Sequence, residues 1–584
     1  MSTWSRFLLL LAWWMVAFPS QAAITVLRGT ADSCQVQGLL GLFASCGFTL
    51  NAPSGATEGD VLIAQIIAKA SETITAPSGW TRISPASGVG TSLRQHIYYR
   101  YIATGQTAGS ATWQIDGPWL GLLNSGYATG VMYAARGAEN PDCASATTFR
   151  CGGTVTGGVG TSVVAPSMSL QYPAGSLRMA FFASNSGTAS ITPALENSAT
   201  AGVYNRAGGS VTGVGLHGSY YLLGSDSNGG QQSANLNTSS YNIGSTFILR
   251  AAPVLTCVSD NFNRSTGLGN DWSSVRVAGD FTPQIVNNRL RLTAAVTNQS
   301  TGVSFQRVFP SAGNYLQLVF RFYGYGGGGA DGVALILSDA SVTPQPGGFG
   351  GSLGYAPKSN PTVAGFAGGW LGIGLDEYGN FSSSSDSGPC APGVTCSSNG
   401  IGQSLGIRGA SPNYYWLRGT GTLSPTVSNS SGHLYRVTID SRMAGKVLVS
   451  IERDTGSGYS TLVSTFDAAP YTGQSTMPAQ MVFSLTGSTG EITNVHEIDD
   501  VQVCASSMST MQAQIDHYRF STTSTPLTCT PAQILVQACM DANCSTTYSG
   551  NVTATLTPSG WVGGDTRTFA GSGATLGLTY TLYL

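Results

Sequence analysis

Apolar and polar residues alternate in short runs along most of this chain, and clusters of Gly, Ser, Asn and Pro separate the runs, a pattern of strands joined by tight turns. DVLIAQIIAK (60–69), RQHIYYRYIA (94–103) and YNIGSTFILR (241–250) mark strands within residues 23–252, which read as one large N-terminal β-sandwich. Trp80, Trp113 and Trp119 fall in this region and are expected in its core, since strand aromatics pack inward more often than they form an exposed platform.

A second block, 253–506, contains GNYLQLVFRFYGY, DGVALILS, WLGIGLD, HLYRVTID, KVLVSIER and QMVFSLTG, whose spacing suits a jelly-roll-like sandwich of two sheets. Residues 507–525 read as a strand, IDHYRF, followed by a polar linker. From 526 to 584 the runs resemble the first half of an immunoglobulin-like module, a partial one. The fold class expected is therefore all-β and multidomain.

Composition agrees: 584 residues are too many for one core, only 9% are charged, and 77 are glycine. The net charge of −2 is spread without basic or acidic blocks, so neither nucleic acid nor an anionic membrane surface is an expected partner. The N-terminus, MSTWSRFLLLLAWWMVAFPSQAA, reads as a secretory signal peptide spanning 1–22, and no later stretch is apolar enough to span a bilayer. The expected location is outside the cytoplasm.

Export makes the eleven cysteines read as disulfides. Close pairs are Cys34 with Cys46, Cys143 with Cys151, Cys390 with Cys396, and Cys539 with Cys544. Cys257 and Cys504 flank the second block, and joining them would contribute roughly 5 kcal/mol by chain-entropy reasoning. Cys529 is left over.

Candidate chemistry concentrates in GGWLGIGLDEYGNF, 368–381. On an extended strand Leu371, Ile373 and Leu375 share one face, and Gly374, Asp376, Tyr378 and Asn380 share the other. Calcium takes six to eight oxygen ligands, and Asp376, the Tyr378 carbonyl and Asn380 supply three types of oxygen, with Asp386 across a serine run as a second carboxylate.

The order of GGGGADGVALILSDAS (326–341), PGGFGGSLGYA (346–356), the 368–381 stretch and MVFSLTGSTGEITNVHEIDDV (481–501) resembles the L-type, concanavalin-like lectins. The resemblance implies that Asp331 of the Ala-Asp-Gly triplet, commonly after a cis peptide, accepts sugar hydroxyls, and that Gly350 or Gly351 donates a backbone N–H. It implies that Asn380 touches both calcium and sugar, that Asp376, Tyr378, Asn380 and Asp386 hold calcium, and that the loop around Glu491 closes the pocket. Gly374 stands where the legume branch has a transition-metal carboxylate, so no manganese is expected. His496 has a counterpart but reads as a buried structural residue.

Glucan hydrolases of the same sandwich class need two converging carboxylates. Glu377 points away from Asp376 on a regular strand, and with five histidines in the chain no general-base constellation stands out, so no enzyme activity is expected. LILSDASVTPQPGGFGGSLGYA and VSIERDTGSGY, with IDHYRF and LTCTPAQILVQAC further on, are similar to exported proteins of the bacterial mannose-sensitive haemagglutinin (MSHA) type IV pilus system. That likeness, from about 257 onward, implies a Gram-negative periplasmic, outer-surface or pilus location and possible pilus or cell-surface partners beside a glycan ligand. The alternative it leaves open is a structural pilus-assembly protein whose lectin fold no longer binds sugar.

Overall fold

The computed structural model describes residues 24–39, 42–69, 72–83, 88–89, 92–117, 126–141, 151–194, 200–210, 212–384, 388–511, 517–522, 531–539, 544, 547–548, 551–557 and 559–578. The expected signal peptide, Trp119, Cys143, Asp386 and Cys529 lie outside them. Strands dominate, the strands of each sheet pair antiparallel among the described residues, and the one helical turn there is the short Gly350–Ser352 segment. No helix there is long and apolar enough to cross a membrane.

The N-terminal region has three layers. A six-stranded sheet containing Val61–Ala68 packs one face against a second six-stranded sheet through Ile63, Ile67, Phe181 and Phe247. Its other face meets a four-stranded sheet through Leu62, Ile66, Phe48 and Trp113. This explains the unbroken apolar run at 61–64 and 66–68: a strand covered on both faces has no polar side. Gln65, the polar exception, is buried and donates to Gln95 Oε1 at 2.8 Å and Phe182 O at 3.1 Å. Trp80 and Trp113 meet edge to face, centroids 5.0 Å apart, inside the core as expected.

The central block forms two large facing sheets. One runs, in spatial order, Gln284–Val286, Arg289–Thr293, Val495–Ala505, Tyr315–Tyr325, Asn429–Asp440, Leu448–Asp454 and Tyr459–Asp467. The facing sheet runs Trp272–Ala278, Gln299–Pro310, Gln480–Thr489, Gly332–Asp339, Gly369–Asp376, Ser404–Arg408 and Trp416–Gly419. Alternate residues fill the space between them: Leu316, Leu318, Phe320 and Phe322 from one sheet, Val333, Leu335, Leu337, Leu371, Ile373 and Leu375 from the other. Each such side chain contributes about 1.5–3 kcal/mol by leaving water.

Strand Thr256–Asp260 pairs with Val495–Ala505, and the Cys257–Cys504 disulfide joins the two. Cys34–Cys46, Cys390–Cys396 and Cys539–Cys544 are also bonded. Where the first region meets the central sandwich, Arg250 and Arg442 are buried against Asp440, and Arg442 also pairs with Glu139 and donates to Ala251 O at 2.9 Å.

The C-terminal unit contains a three-stranded sheet, His517–Thr522, Ala532–Cys539 and Ala574–Leu578, and a pair, Asn551–Thr555 with Thr566–Ala570. Val536, Val552, Trp561 and Phe569 share its small core. His517–Thr522 pairs residue by residue with Ala532–Cys539, so the described part of IDHYRF, from His517, belongs to this module rather than to a separate connecting segment; Ile515 and Asp516 lie outside the described residues.

Candidate functional site

The outer face of the Gly369–Asp376 strand carries glycines at 372 and 374, and Leu353, Tyr355, Phe366, Phe381 and Tyr414 from the flanking segments cluster over it. The Phe381 ring lies so close to Gly374 that a Cβ there would sit 2.5 Å from it. A larger side chain at 374, carboxylate or otherwise, has no room. The second core therefore fixes the loop that follows Asp376.

Asp376 is fully buried at the strand end, its Oδ1 accepting the Gly379 N–H and its Oδ2 the Ser382 N–H, both at 2.7 Å. Burial pushes its carboxyl up to about 7 against those hydrogen bonds. Arg408, also fully buried, reaches across the same loop and donates to Phe381 O at 3.0 Å, Gly388 O at 3.1 Å, Tyr414 O at 3.0 Å, and to Ser383 O.

Across from this loop, the Ala330–Asp331 peptide is cis. Asp331 N–H donates to Ser488 O at 3.1 Å, and its carbonyl accepts the Glu377 N–H at 2.9 Å, which ties the triplet to the end of the Gly369–Asp376 strand. The Asp331 side chain is buried, and its Oδ2 has no hydrogen-bond partner among the described residues. Burial, with Asp376 close by, raises its carboxyl to about 7, while the nearby Gly490 backbone and the charge of Lys358 pull the other way.

A cleft of about 440 Å³ opens above these residues, and Asp331, Gly350, Gly351, Tyr378, Asn380 and Glu491 all line it. Such a volume is within the range of small-ligand sites. Gly350 and Gly351 form the turn Gly350–Ser352, anchored by the Ser488 hydroxyl donating to Gly350 O at 2.9 Å. Gly351 lies against Asn380: a Cβ there would stand 2.4 Å from Asn380 Cβ. Tyr378 presents a side chain that is 49% exposed at the rim.

Glu377 goes the other way. It is buried between the sheets, its Oε2 accepting from Asn494 Nδ2 at 3.0 Å and lying 3.1 Å from His496 Nε2. Burial opposes its charge, yet the His496 ring and the hydrogen bonds hold its carboxyl below the usual range. His496 is itself fully buried, with Nδ1 2.7 Å from Thr293 Oγ1. Asp376 and Glu377 therefore do not face a common substrate position.

Residues 515–582 match a domain family described as Domain of unknown function (DUF8613). A search of curated proteins returned no match. Among solved structures, the chain is similar to the VIP36 exoplasmic/lumenal domain in its Ca2+/Man-bound form, at 14% identity and TM-score 0.28 over 42% of this chain and 88% of that one. It is similar to a lectin from Bauhinia forficata in complex with GalNAc, at 14% identity and TM-score 0.29 over 44% and 100%. Lectin I-B4 from Griffonia simplicifolia, in metal-free form, gives 12%, 0.31, 44% and 99% in the same terms.

Three oxygen donors suited to a hard cation end on one loop: the Asp376 carboxylate, the Tyr378 carbonyl and the Asn380 amide. The Asp376 oxygens each spend one lone pair on a backbone N–H and retain another for an ion. These oxygens are of the type a hard cation such as calcium takes, and none of the three groups offers sulfur or imidazole.

Sequence reasoning did not single out Asn298, Phe349, Lys358, Asn360, Pro361 and Ile492, which complete the cleft wall. Lys358 carried a usable signal, because the whole chain has three lysines, at 69, 358 and 446. Arg408 was likewise detectable as the lone charge ending the apolar run SLGIR.

Proposed function

We propose that the central sandwich is a carbohydrate-binding domain of the L-type lectin kind, calcium-dependent, in an exported adhesin-type protein. One observation carries this reading: a buried carboxylate with an unpartnered oxygen, Asp331, lines the same polar cleft as Asn380 and the backbone turn at Gly350 and Gly351. Fixed acceptors and donors that need no rearrangement suit vicinal sugar hydroxyls, because little ordering entropy is lost on binding. Asp376, the Tyr378 carbonyl and Asn380 would hold the ion, whose charge would favour the ionised form of the neighbouring carboxylates. Binding rather than catalysis is the proposed activity, consistent with the divergence of Asp376 and Glu377.

The likeness of the region from about 257 onward to MshQ of the MSHA pilus system extends the proposal to a Gram-negative cell surface or pilus, with adhesion as the use of the cleft. Glycan-array binding with and without a calcium chelator, for the wild type, Asp331→Ala and Asn380→Ala, tests it. Calcium-dependent binding lost in both variants is expected. Binding untouched by chelation and by both substitutions would overturn the site and leave a structural pilus-assembly role.

A further inference from the structure

We propose that Lys358 makes the cleft selective for glycans carrying an anionic substituent, a carboxylate or a sulfate, on the side where its ammonium stands. The inference rests on the carbohydrate reading above and deepens it.

The other two lysines of the chain are satisfied by the protein. Lys446 Nζ pairs with Asp467 Oδ2 at 3.0 Å, and Lys69 Nζ donates to Asn185 O with Glu72 beside it. Lys358 makes no ion pair and no side-chain hydrogen bond among the described residues. Its Nζ lies 4.9 Å from the centre of the Phe349 ring, a contact that holds the ammonium in place but uses none of its three N–H donors in a hydrogen bond.

Nor is its position that of a loose surface lysine. Lys358 pairs with Val363 in the Lys358–Ser359 and Thr362–Val363 hairpin, and its Cβ lies against Gly348, where an added Cβ would be 2.7 Å away. The side chain is half-buried in the wall of the cleft. A ligand that fills the cleft strips water from this ammonium, whose charge reaches the Asp331 carboxyl without a hydrogen-bonded ion pair to it, and desolvating its free N–H donors opposes binding. A neutral hydroxyl compensates it weakly; a carboxylate or sulfate compensates it with a charge-assisted hydrogen bond.

The remaining charges of the cleft divide the work. Asp331 offers an acceptor for hydroxyls, and Glu491 in the 490–492 loop disfavours an anion on its own side. The ligand's anionic group is therefore placed beside Phe349 and Lys358, which fixes which way round the sugar lies.

The test is an array of matched neutral and acidic glycans, such as glucose with glucuronate, galactose with galacturonate, mannose with mannuronate, and sulfated counterparts. It is probed with the full chain in calcium, at low and high salt. The acidic member of the bound pair is expected to bind roughly tenfold more tightly, with the advantage shrinking in high salt. Lys358→Gln should abolish the advantage and Lys358→Arg should retain it. Calcium-dependent binding of neutral glycans with no acidic preference, or a preference that persists in Lys358→Gln, overturns this inference and leaves the carbohydrate site standing. Failure of both neutral and acidic members to bind in calcium overturns both.

Discussion

Glu377 Oε2 stands 3.1 Å from His496 Nε2 between the two sheets of the central sandwich, although Glu377 directly follows Asp376, whose carboxylate is held in the loop below the cleft. One peptide unit separates a structural carboxylate from a candidate ion ligand. Glu377→Ala should leave Asn494 Nδ2 and His496 without their buried acceptor and lower stability by about 3 kcal/mol. Glu377→Gln, which keeps an acceptor oxygen, should lower it by about 1 kcal/mol. Denaturant unfolding measures both, and an unshifted midpoint for the alanine variant would contradict this assignment.

Gly351→Ala places a methyl 2.4 Å from Asn380 Cβ, in a turn whose three residues are buried. Asn380 must move, and with it the amide proposed to serve ion and sugar together. Calorimetry should therefore show calcium and glycan affinities falling together, each by roughly tenfold, at a misplacement of this size. A loss confined to one ligand would separate their sites.

Acid should weaken the junction between the N-terminal region and the central sandwich. Burial opposes the charge of Asp440, but Arg250 and Arg442 hold its carboxyl at about 2, against an ordinary 3.8. A carboxyl lowered by folding contributes stability that is complete above about pH 4 and is lost as pH falls through about 2. The expected loss is about 2 kcal/mol across that window. Asp440→Asn should flatten this part of the stability profile and, by leaving Glu139 as the one carboxylate beside the buried Arg250 and Arg442, lower stability at neutral pH as well. A profile for Asp440→Asn parallel to wild type below pH 4 would refute the assignment.

Reduction of the Cys257–Cys504 bond frees a loop with a sequence separation of 247 residues. The double substitution Cys257→Ser with Cys504→Ser should lower the unfolding free energy of the central sandwich by roughly 5 kcal/mol, the chain-entropy value for a loop of that size. Thermal unfolding with and without reductant gives the check. Wild type should respond to reductant, and the double variant should show only the smaller response of the remaining disulfides.

Much of the site was legible because strand parity is strict. The alternation in WLGIGLD sends Leu371, Ile373 and Leu375 to the core, and the same period carries Asp376 and Glu377 apart. Asp331, Gly350 and Asn380 were named from motif order, and the fold brings them round one cleft. Lys358 was not, because its place depends on a hairpin folding back over Gly348, a contact no periodicity records. The third layer of the N-terminal region escaped for a related reason. An unbroken apolar run says that both faces are covered but not by what. Local pattern reads the segment before residue 526 as a connection because the partner of His517–Thr522, Ala532–Cys539, lies beyond a polar stretch.

The disulfide that closes the central sandwich has a mechanical meaning. The strand leading in at Thr256–Asp260 and the strand leading out at Val495–Ala505 are paired and covalently joined. A pull applied along the chain from either side passes from Cys257 to Cys504 through two sulfur atoms and bypasses everything between. The cleft sits inside that slack loop. Tension along the chain is thereby carried past the segment that holds Asp331, Asn380 and the turn at Gly350.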